Sequence, residues 1–187
     1  MGRWEPGAGG RLREAALNLY LERGFEQTMV ADIAERAGVT ARTFFRYFAD
    51  KREVLFDAAA ELEEKSLAAL EAAPATASPL EAVAAALDAV AAIIGHDRAL
   101  ARTRHAVITA NADLRERELI KLAHMSAALA DGLRRRGIGD AEASLAAETG
   151  SAVYRVAFQR WVDADDLDLR EAIDQSFAQL RTLTASD

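Results

Sequence analysis

Apolar residues recur along almost the whole chain at intervals of three and four positions, the spacing that places side chains on one face of an α-helix. The first such stripe contains Leu12, Ala16, Leu19 and Tyr20, and Gly24 follows it as a helix terminator. The pattern predicts helices over residues 11–23, 28–37, 41–48, 50–73, 80–94, 98–110, 112–136, 140–162 and from 169 onward. Because no stretch shows the alternation of a strand, the sequence predicts an all-α fold of about nine helices.

Capping residues place several of these boundaries. Thr40 is suited to cap the third helix, since a hydroxyl can accept a hydrogen bond from an unpaired backbone N–H. Asp50 followed by Glu53 forms a capping-box pattern, which predicts that the fourth helix opens there. Asp168 followed by Glu171 predicts the start of the last helix in the same way.

Composition and charge divide the chain into an arm, a head and a body. Residues 1–10 are interrupted by Gly and Pro and predict a flexible arm. Residues 11–52 predict a DNA-binding domain and 53–187 a ligand-binding and dimerisation domain, with a linker at 74–79. The net charge is −7, but the first 52 residues hold nine Arg or Lys and seven Asp or Glu, leaving the rest strongly acidic. A locally basic head can meet a phosphate backbone although the whole chain is acidic.

The absence of cysteine excludes disulfides, thiolate metal sites and thiol catalysis, and it fits a reducing cytoplasm. Charged residues such as Asp88 interrupt the longest apolar run, so a membrane span is not expected. The first residues lack the apolar core of a signal peptide. A cytoplasmic location without a membrane partner is therefore predicted.

The segment over residues 30–48 has the pattern of a helix-turn-helix. Its two short helices are joined at Gly38, which can adopt the backbone conformation of a tight turn. On the second helix, one outward arc is predicted to contain Ala41, Arg42, Phe45 and Arg46. Arginine can pair with guanine and an aromatic ring can touch a thymine methyl in the major groove. By this pattern alone, a small three-helix packing unit remains an equal alternative.

Residues 11–56 resemble the DNA-binding head of the tetracycline-repressor (TetR) family. The matching positions are Ala15, Ala16, Gly24, Phe25, Thr28, Asp32, Ile33, Ala34, residues 36–40, residues 43–48 and Lys51. The resemblance implies that Ala41, Arg42 and Phe45 face bases and that Thr43, Tyr47 and Lys51 hold phosphates. The full set of candidate DNA-binding residues is Thr28, Ala41, Arg42, Thr43, Phe45, Arg46, Tyr47 and Lys51. Two positions depart from the family pattern: Met29 often is Thr, and Phe45 usually is Tyr.

The resemblance also implies a body that dimerises through its last two helices. The helix over 140–162 is apolar nearly all round, with small residues on one arc and Leu145, Ala152 and Val156 on another. Such a helix needs cover on several sides, which its own body and a partner subunit together would supply. A central helix of a monomeric bundle is the alternative. The predicted dimer interface consists of Ala146, Gly150, Val153, Ala157, Phe177 and Leu180.

Arg104 falls by helical phase inside an apolar arc, where an arginine rarely lies unpaired. Either it forms a salt bridge with an acidic neighbour, or it anchors an anionic group of a ligand. Residues 104–180 resemble a subgroup of family bodies linked to acyl-coenzyme-A-type ligands. The predicted ligand pocket is lined by Leu100, Arg104, Val107, Ile108, Leu122, Met125, Phe158 and Trp161.

No catalytic or metal-binding pattern stands out. The histidines, at positions 96, 105 and 124, lack the spacing of metal ligands on one helix. The acidic run over residues 163–168 lacks the central Gly and terminal Glu of an EF-hand loop. No Ser/His/Asp order, carboxylate pair or phosphate-binding Gly loop is recognisable. No cofactor and no enzymatic activity are therefore predicted.

These observations predict a homodimeric transcriptional regulator that binds a near-palindromic double-stranded DNA operator. A small apolar or amphipathic effector would release it from DNA by favouring another body conformation. One alternative is a DNA-binding protein with a pocketless body that a partner controls. A second alternative is a helical enzyme without affinity for DNA.

Overall fold

A computed structural model describes residues 7–185. Over this range it contains helices and connections but no strand, which confirms the predicted all-α class. The nine α-helices are α1 (Ala8–Arg23), α2 (Val30–Arg36), α3 (Ala41–Tyr47), α4 (Ala59–Ala72), α5 (Pro79–Ile94), α6 (Arg98–Thr109), α7 (Ala112–Arg135), α8 (Asp140–Asp163) and α9 (Leu169–Thr184). A short 3-10 turn, Glu53–Leu55, lies between α3 and α4.

Most predicted helix boundaries agree with the structure, but the predicted start of the fourth helix was wrong. The Asp50 carboxylate does accept from the backbone N–H groups of Arg52 and Glu53, at 2.7 and 3.1 Å. It opens only the 3-10 turn, however, and α4 begins at Ala59. A capping residue satisfies the first N–H groups of any helical turn, so it does not determine how far the helix continues.

The predicted arm overlaps α1. Residues 8–10 form the first turn of that helix, and residues 1–6 of the predicted arm lie outside the described residues. The predicted linker before α5 is present, and Ser78 caps that helix by accepting from Glu81 N–H at 3.3 Å. Pro79 occupies the first helical position, where its missing N–H costs nothing.

The first compact unit, the head, combines residues 7–58 with the downstream segment Arg102–Arg117. Its core contains apolar residues of α1, α2, α3 and the 3-10 turn, among them Leu12, Ile33 and Phe44, each 0% exposed. Ile108 and Leu114, from the downstream segment, belong to the same core and are also 0% exposed. The head core thus draws on two distant parts of the sequence.

The second compact unit, the body, comprises Ala59–Ala101 and residues 118–185. Helix α5 is central to it and packs against α4, α8 and α9. A Cβ added to Gly150 of α8 would lie 2.3 Å from Val83 Cγ1 of α5. The two helices therefore approach closely only because position 150 carries no side chain.

In the described part of the chain, no single helix combines the length and apolarity needed to cross a bilayer. Helices α5 and α6 meet such a criterion only when they are counted together.

Candidate nucleic-acid interface

The turn between α2 and α3 is a Schellman motif. Gly38 N–H donates to Glu35 O at 3.0 Å and Val39 N–H donates to Ala34 O at 2.9 Å. Gly38 has φ of +67°, a left-handed conformation that a side chain would disfavour. Val39 then packs against the head core, so the turn fixes the direction in which α3 leaves.

Helix α3 separates a buried face from an exposed one. Thr40 caps it as predicted, accepting from Thr43 N–H at 3.2 Å. Phe44 is 0% exposed and forms part of the head core, whereas the neighbouring Phe45 is 57% exposed. Ala41, Arg42, Phe45 and Arg46 are all exposed, as the helical phase predicts.

The end of α3 carries a second exposed aromatic residue. Tyr47 is 48% exposed, and the Arg46 guanidinium lies 5.1 Å from its ring centroid. A Cβ added to Gly9 of α1 would lie 3.3 Å from the Tyr47 ring, so the start of α1 also approaches this ring. These contacts hold an aromatic ring and a cation together at the surface.

Thr28 does not share this surface, which corrects its place among the predicted DNA contacts. The residue is 0% exposed, and its hydroxyl donates to Gly24 O at 2.9 Å and to Leu19 O at 3.3 Å. The Thr28 side chain therefore joins the end of α1 to the loop that follows it.

Lys51 is engaged with the protein rather than directed outward. Its ammonium group donates to the carbonyl oxygens of Phe25, Glu26 and Thr28 at 2.8, 3.3 and 3.0 Å. The same group lies 4.4 Å from the centroid of the Phe25 ring. This geometry differs from the phosphate contact that the family resemblance implies for Lys51.

Two titratable groups beside Lys51 have shifted pKa values. Burial raises the pKa of Tyr20, whose hydroxyl donates to Lys51 O at 2.6 Å, and the charge of Asp50 adds to the shift. Burial alone would raise the pKa of Asp50, but hydrogen bonds from Arg52 and from two backbone N–H groups lower it overall. Asp50 therefore keeps its negative charge at the start of the 3-10 turn at neutral pH.

The predicted ligand-pocket residues belong to two different compact units. Val107 and Ile108 are 5% and 0% exposed and lie in the head core, which excludes them from a pocket in the body. Arg104 Nε donates to Leu55 O at 2.6 Å, and its guanidinium lies 5.1 Å from the centroid of the Phe56 ring. The helical phase identified the inward face of α6 correctly, but it could not show whether that face packs in the head core or in the body core.

The other predicted pocket residues belong to the body. Met125 and Phe158 are half-buried and pack against the body core, and Leu122 is also half-buried. Trp161 is 1% exposed, with the Arg98 guanidinium 5.4 Å from its ring centroid, and Leu100 is 39% exposed.

The predicted dimer interface is corrected by burial. Four predicted residues of α8 and Phe177 of α9 are buried within the body, and only Leu180 is partly exposed. The buried set is Ala146, Gly150, Val153, Ala157 and Phe177. Residues already covered within one chain are not available to a partner subunit.

A different part of α8 and α9 carries the exposed apolar residues. Leu145 and Val156 of α8 are 70% and 53% exposed, and Leu183 of α9 is 77% exposed. A shallow groove on α8 is lined by Ala152, Arg155, Val156, Gln159 and Arg160. We call Leu145, Ala152, Val156 and Leu183 the outer apolar set.

Comparison with known proteins agrees with the head geometry. Residues 12–62 match the family model of bacterial regulatory proteins of the tetR family, and residues 77–185 match the MftR C-terminal domain. The second match alone spans more than half of the chain.

The chain belongs to the TetR family.

TetR membership confirms the resemblance predicted from the sequence and identifies the head as a DNA-binding helix-turn-helix domain. A curated relative is the HTH-type transcriptional regulator TcmR of Streptomyces glaucescens, 45% identical over 80 residues. The aligned stretch covers 43% of this TetR-family chain and 35% of TcmR, about a third of that protein's length.

Solved structures show the same fold over nearly the whole chain. FadR of Thermus thermophilus, a TetR family transcriptional repressor in complex with lauroyl-CoA, is 22% identical with a TM-score of 0.57, and the match covers 96% of both chains. FadR of Bacillus halodurans is 17% identical with a TM-score of 0.64, covering 95% of this chain and 96% of that one. FadR of Bacillus subtilis, in complex with stearoyl-CoA, is 22% identical with a TM-score of 0.62, covering 91% and 96%.

The sequence predicted the apolar arc of Leu145, Ala152 and Val156 in this TetR-family chain, but it did not indicate which of the two apolar arcs of α8 lies outward. It did not predict the arginine contacts of the 3-10 turn. The contacts of Arg104 and Arg117 with the 3-10 turn join residues 49 and 64 positions apart. No local pattern reports pairings over such a distance.

Proposed function

We propose that this chain is a homodimeric repressor that binds a near-palindromic operator and is released by a small effector. The observation that carries the proposal is the exposed arc of α3. Phe45 is 57% exposed beside Arg42 and Arg46, whereas the preceding residue, Phe44, is completely buried. An exposed aromatic residue between two arginines suits a surface that meets the edges of bases.

Each residue of α3 that is not buried has a proposed role. Arg42 pairs with a guanine, while Ala41 and Phe45 meet the methyl groups of thymines. Arg46, Thr43 and Tyr47 hold phosphates and set the orientation of the helix in the groove. Thr28 and Lys51 act from inside the head, where they hold the loop that precedes α2.

A dimer is proposed because one seven-residue helix reads few bases. Two heads related by a two-fold axis would meet successive major grooves about 34–36 Å apart, so the operator would be near-palindromic. The outer apolar set supplies a surface for the partner subunit, since contact with a second copy would remove Leu145, Val156 and Leu183 from water.

For the effector, we propose an anionic amphipath of the acyl thioester type. The support is the likeness of the fold to FadR proteins in complex with lauroyl-CoA and stearoyl-CoA. Half-buried apolar residues of the body, among them Leu122, Met125 and Phe158, would line its site. Binding would favour a body conformation in which the heads no longer fit the operator.

The same proposal assigns no enzymatic activity and no cofactor to the chain. Because its partner is chromosomal DNA, we place its action in the cytoplasm.

The test of DNA binding is selection of bound sequences from a genomic library by the purified protein. We expect an enriched near-palindromic motif, and Arg42→Ala should weaken operator binding by about 1–3 kcal/mol and relax preference at one base pair of each half-site. Arg115→Ala removes the same charge from an exposed position of α7 and serves as the control. Absence of any enriched motif would remove the proposed function.

The effector class is tested by thermal-shift titration with fatty acids, acyl thioesters and aromatic acids. A ligand of the body should raise the melting temperature with concentration and weaken operator binding, because coupling between two sites is reciprocal. Met125→Ala should reduce both effects, whereas Leu119→Ala, at an exposed position of α7, should not. If operator binds but no compound shifts melting, the partner-controlled alternative replaces the effector proposal.

A further inference from the structure

The segment between α3 and α4 is held by three arginine side chains. Arg13 Nε of α1 donates to Asp57 Oδ2 at 2.8 Å. Arg104 Nε of α6 donates to Leu55 O at 2.6 Å, and Arg117 Nε of α7 donates to Glu53 Oε1 at 2.8 Å. Two of the three arginines come from Arg102–Arg117, the part of the compact head that lies far downstream in sequence. We call that part the elbow.

We propose that Arg104 and Arg117 are positioning residues for operator binding, holding the 3-10 turn, and through it α3, in the geometry that reads DNA. The proposal rests on the proposed function and adds residues that touch no DNA. It also assigns the Arg104 and Arg117 side chains to the DNA-binding machinery rather than to the effector site.

The turn is connected to α3 through the head core. Val54, Leu55 and Phe56 are 2%, 4% and 5% exposed, and they share one buried cluster with Phe44 and Phe48. Packed interiors resist displacement because neighbouring side chains leave few voids. A shift of the turn therefore changes the support beneath the buried face of α3, whose exposed face carries Arg42 and Phe45.

The chemistry of Arg104 suits this task. Its Nε binds the Leu55 carbonyl at the end of the turn while its guanidinium lies 5.1 Å from the Phe56 ring centroid. The planar guanidinium can donate at its edge and cover an aromatic ring with its face, which an ammonium group does less well. Asp50 holds the start of the turn, so both of its ends are fixed by side chains.

The elbow also connects the turn to the body along the chain. Helix α6 begins in the body and continues into the head at Arg102, and α7 begins in the head and continues into the body at Glu118. The elbow is thus continuous with the body at both of its ends.

The experiment compares Arg104→Gln and Arg117→Gln with Arg115→Gln, which removes the same charge from an exposed site two residues from Arg117. Operator and non-specific DNA affinities are measured against salt at a temperature where circular dichroism shows every variant fully folded. Both test variants should lose about tenfold in operator affinity relative to the control. Their salt slopes should match the control, because neither residue contacts a phosphate.

A charge exchange provides a rescue. Glu53→Arg combined with Arg117→Glu should recover most of the operator affinity that each single substitution loses, and Arg104→Lys should recover part of the loss at Arg104. A merely structural role would appear as lower melting temperature without a change in the ratio of operator to non-specific affinity. Equal ratios in test and control variants would overturn the proposal.

Hydrogen exchange separates this proposal from the proposed function. Backbone amides of residues 50–58 and 41–48 should exchange faster in Arg104→Gln and Arg117→Gln than in the parent, while Arg115→Gln should match the parent. Unchanged exchange in the two test variants would overturn the proposal even if the protein binds an operator. Failure of the parent to bind any DNA would instead remove the proposed function, and the positioning role with it.

Discussion

The ammonium group of Lys51 lies against three backbone carbonyl oxygens and the face of the Phe25 ring. Carbonyl groups at this point belong to the loop between α1 and α2, where no helical N–H is available to them. A lysine with three donors can satisfy three acceptors at once. At the scale of single residues, the loop that positions α2 therefore depends on a side chain that follows α3.

Replacing Lys51 with Met should distinguish this role from a phosphate contact. The carbonyl role predicts a lower melting temperature and an almost unchanged slope of log affinity against log salt. A lost phosphate contact would instead flatten the slope by about 0.9. Arg46→Met, which removes an exposed charge from α3, supplies the comparison and should flatten the slope.

At the scale of elements, the start of α2 lacks a side-chain cap. Met29 is 64% exposed, has no oxygen in its side chain, and its N–H donates to Asp32 Oδ2 at 3.1 Å. Asp32 thus supplies the reciprocal half of a capping box, and the other half is missing. Helix α2, which precedes the turn of the helix-turn-helix, is therefore less stable than it would be with a capping side chain at position 29.

Met29→Thr should therefore stabilise the protein relative to Met29→Val by about 1 kcal/mol, since the two side chains differ in little but the capping hydroxyl. Urea unfolding of both variants measures the difference. Equal stabilities would show that the N–H groups at the start of α2 gain nothing from a further acceptor.

The close approach of α5 and α8 gives a second prediction at this scale. Alanine normally favours a helix over glycine, but at position 150 its Cβ would lie 2.3 Å from Cγ1 of Val83, which is 0% exposed in the body core. Gly150→Ala should lower the free energy of unfolding by about 1–3 kcal/mol. In the background of Val83→Ala the same change should cost much less, and strict additivity of the two losses would contradict the assigned contact.

Local signals account for what the sequence predicted at the level of elements. Gly38 and Thr40 fix the turn and the start of α3 by contacts within six residues, so both were visible in the sequence. Asp50 gave a true capping signal, but the turn it opens also contacts Arg104, 49 positions from Leu55 in sequence. Boundaries set by distant partners cannot be read from a local pattern.

At the scale of the whole molecule, burial decides which side of α8 faces its own chain. The helical phase separated the two apolar arcs of α8 correctly, but an apolar arc alone does not show which surface packs against it. The structure places Ala157 in the body core at 0% exposure and leaves Val156, the preceding residue, 53% exposed. Likewise, Ile108 lay on a correctly identified inward face and entered the head core rather than a pocket.

Charged substitutions in the outer apolar set should therefore dissociate the proposed dimer. We expect Val156→Glu and Leu183→Glu to give monomers with an unchanged helical spectrum, and to lose operator binding together with assembly. Sedimentation velocity at micromolar concentration measures the state. Leu119→Glu, at a position of α7 that is 57% exposed, is the control and should remain dimeric. A parent protein that sediments as a monomer would contradict the assignment.

The head core combines residues from two distant parts of the sequence, and this affects when the core can form during translation. Its core is complete only when Val107, Ile108 and Leu114 have joined Leu12 and Phe44. A nascent chain that has emerged only as far as Ala58 therefore leaves that core open to water, although α3 has already been translated. At about 5–20 residues per second, the ribosome takes seconds to supply the elbow. A translation product that ends before residue 102 therefore lacks part of the head core.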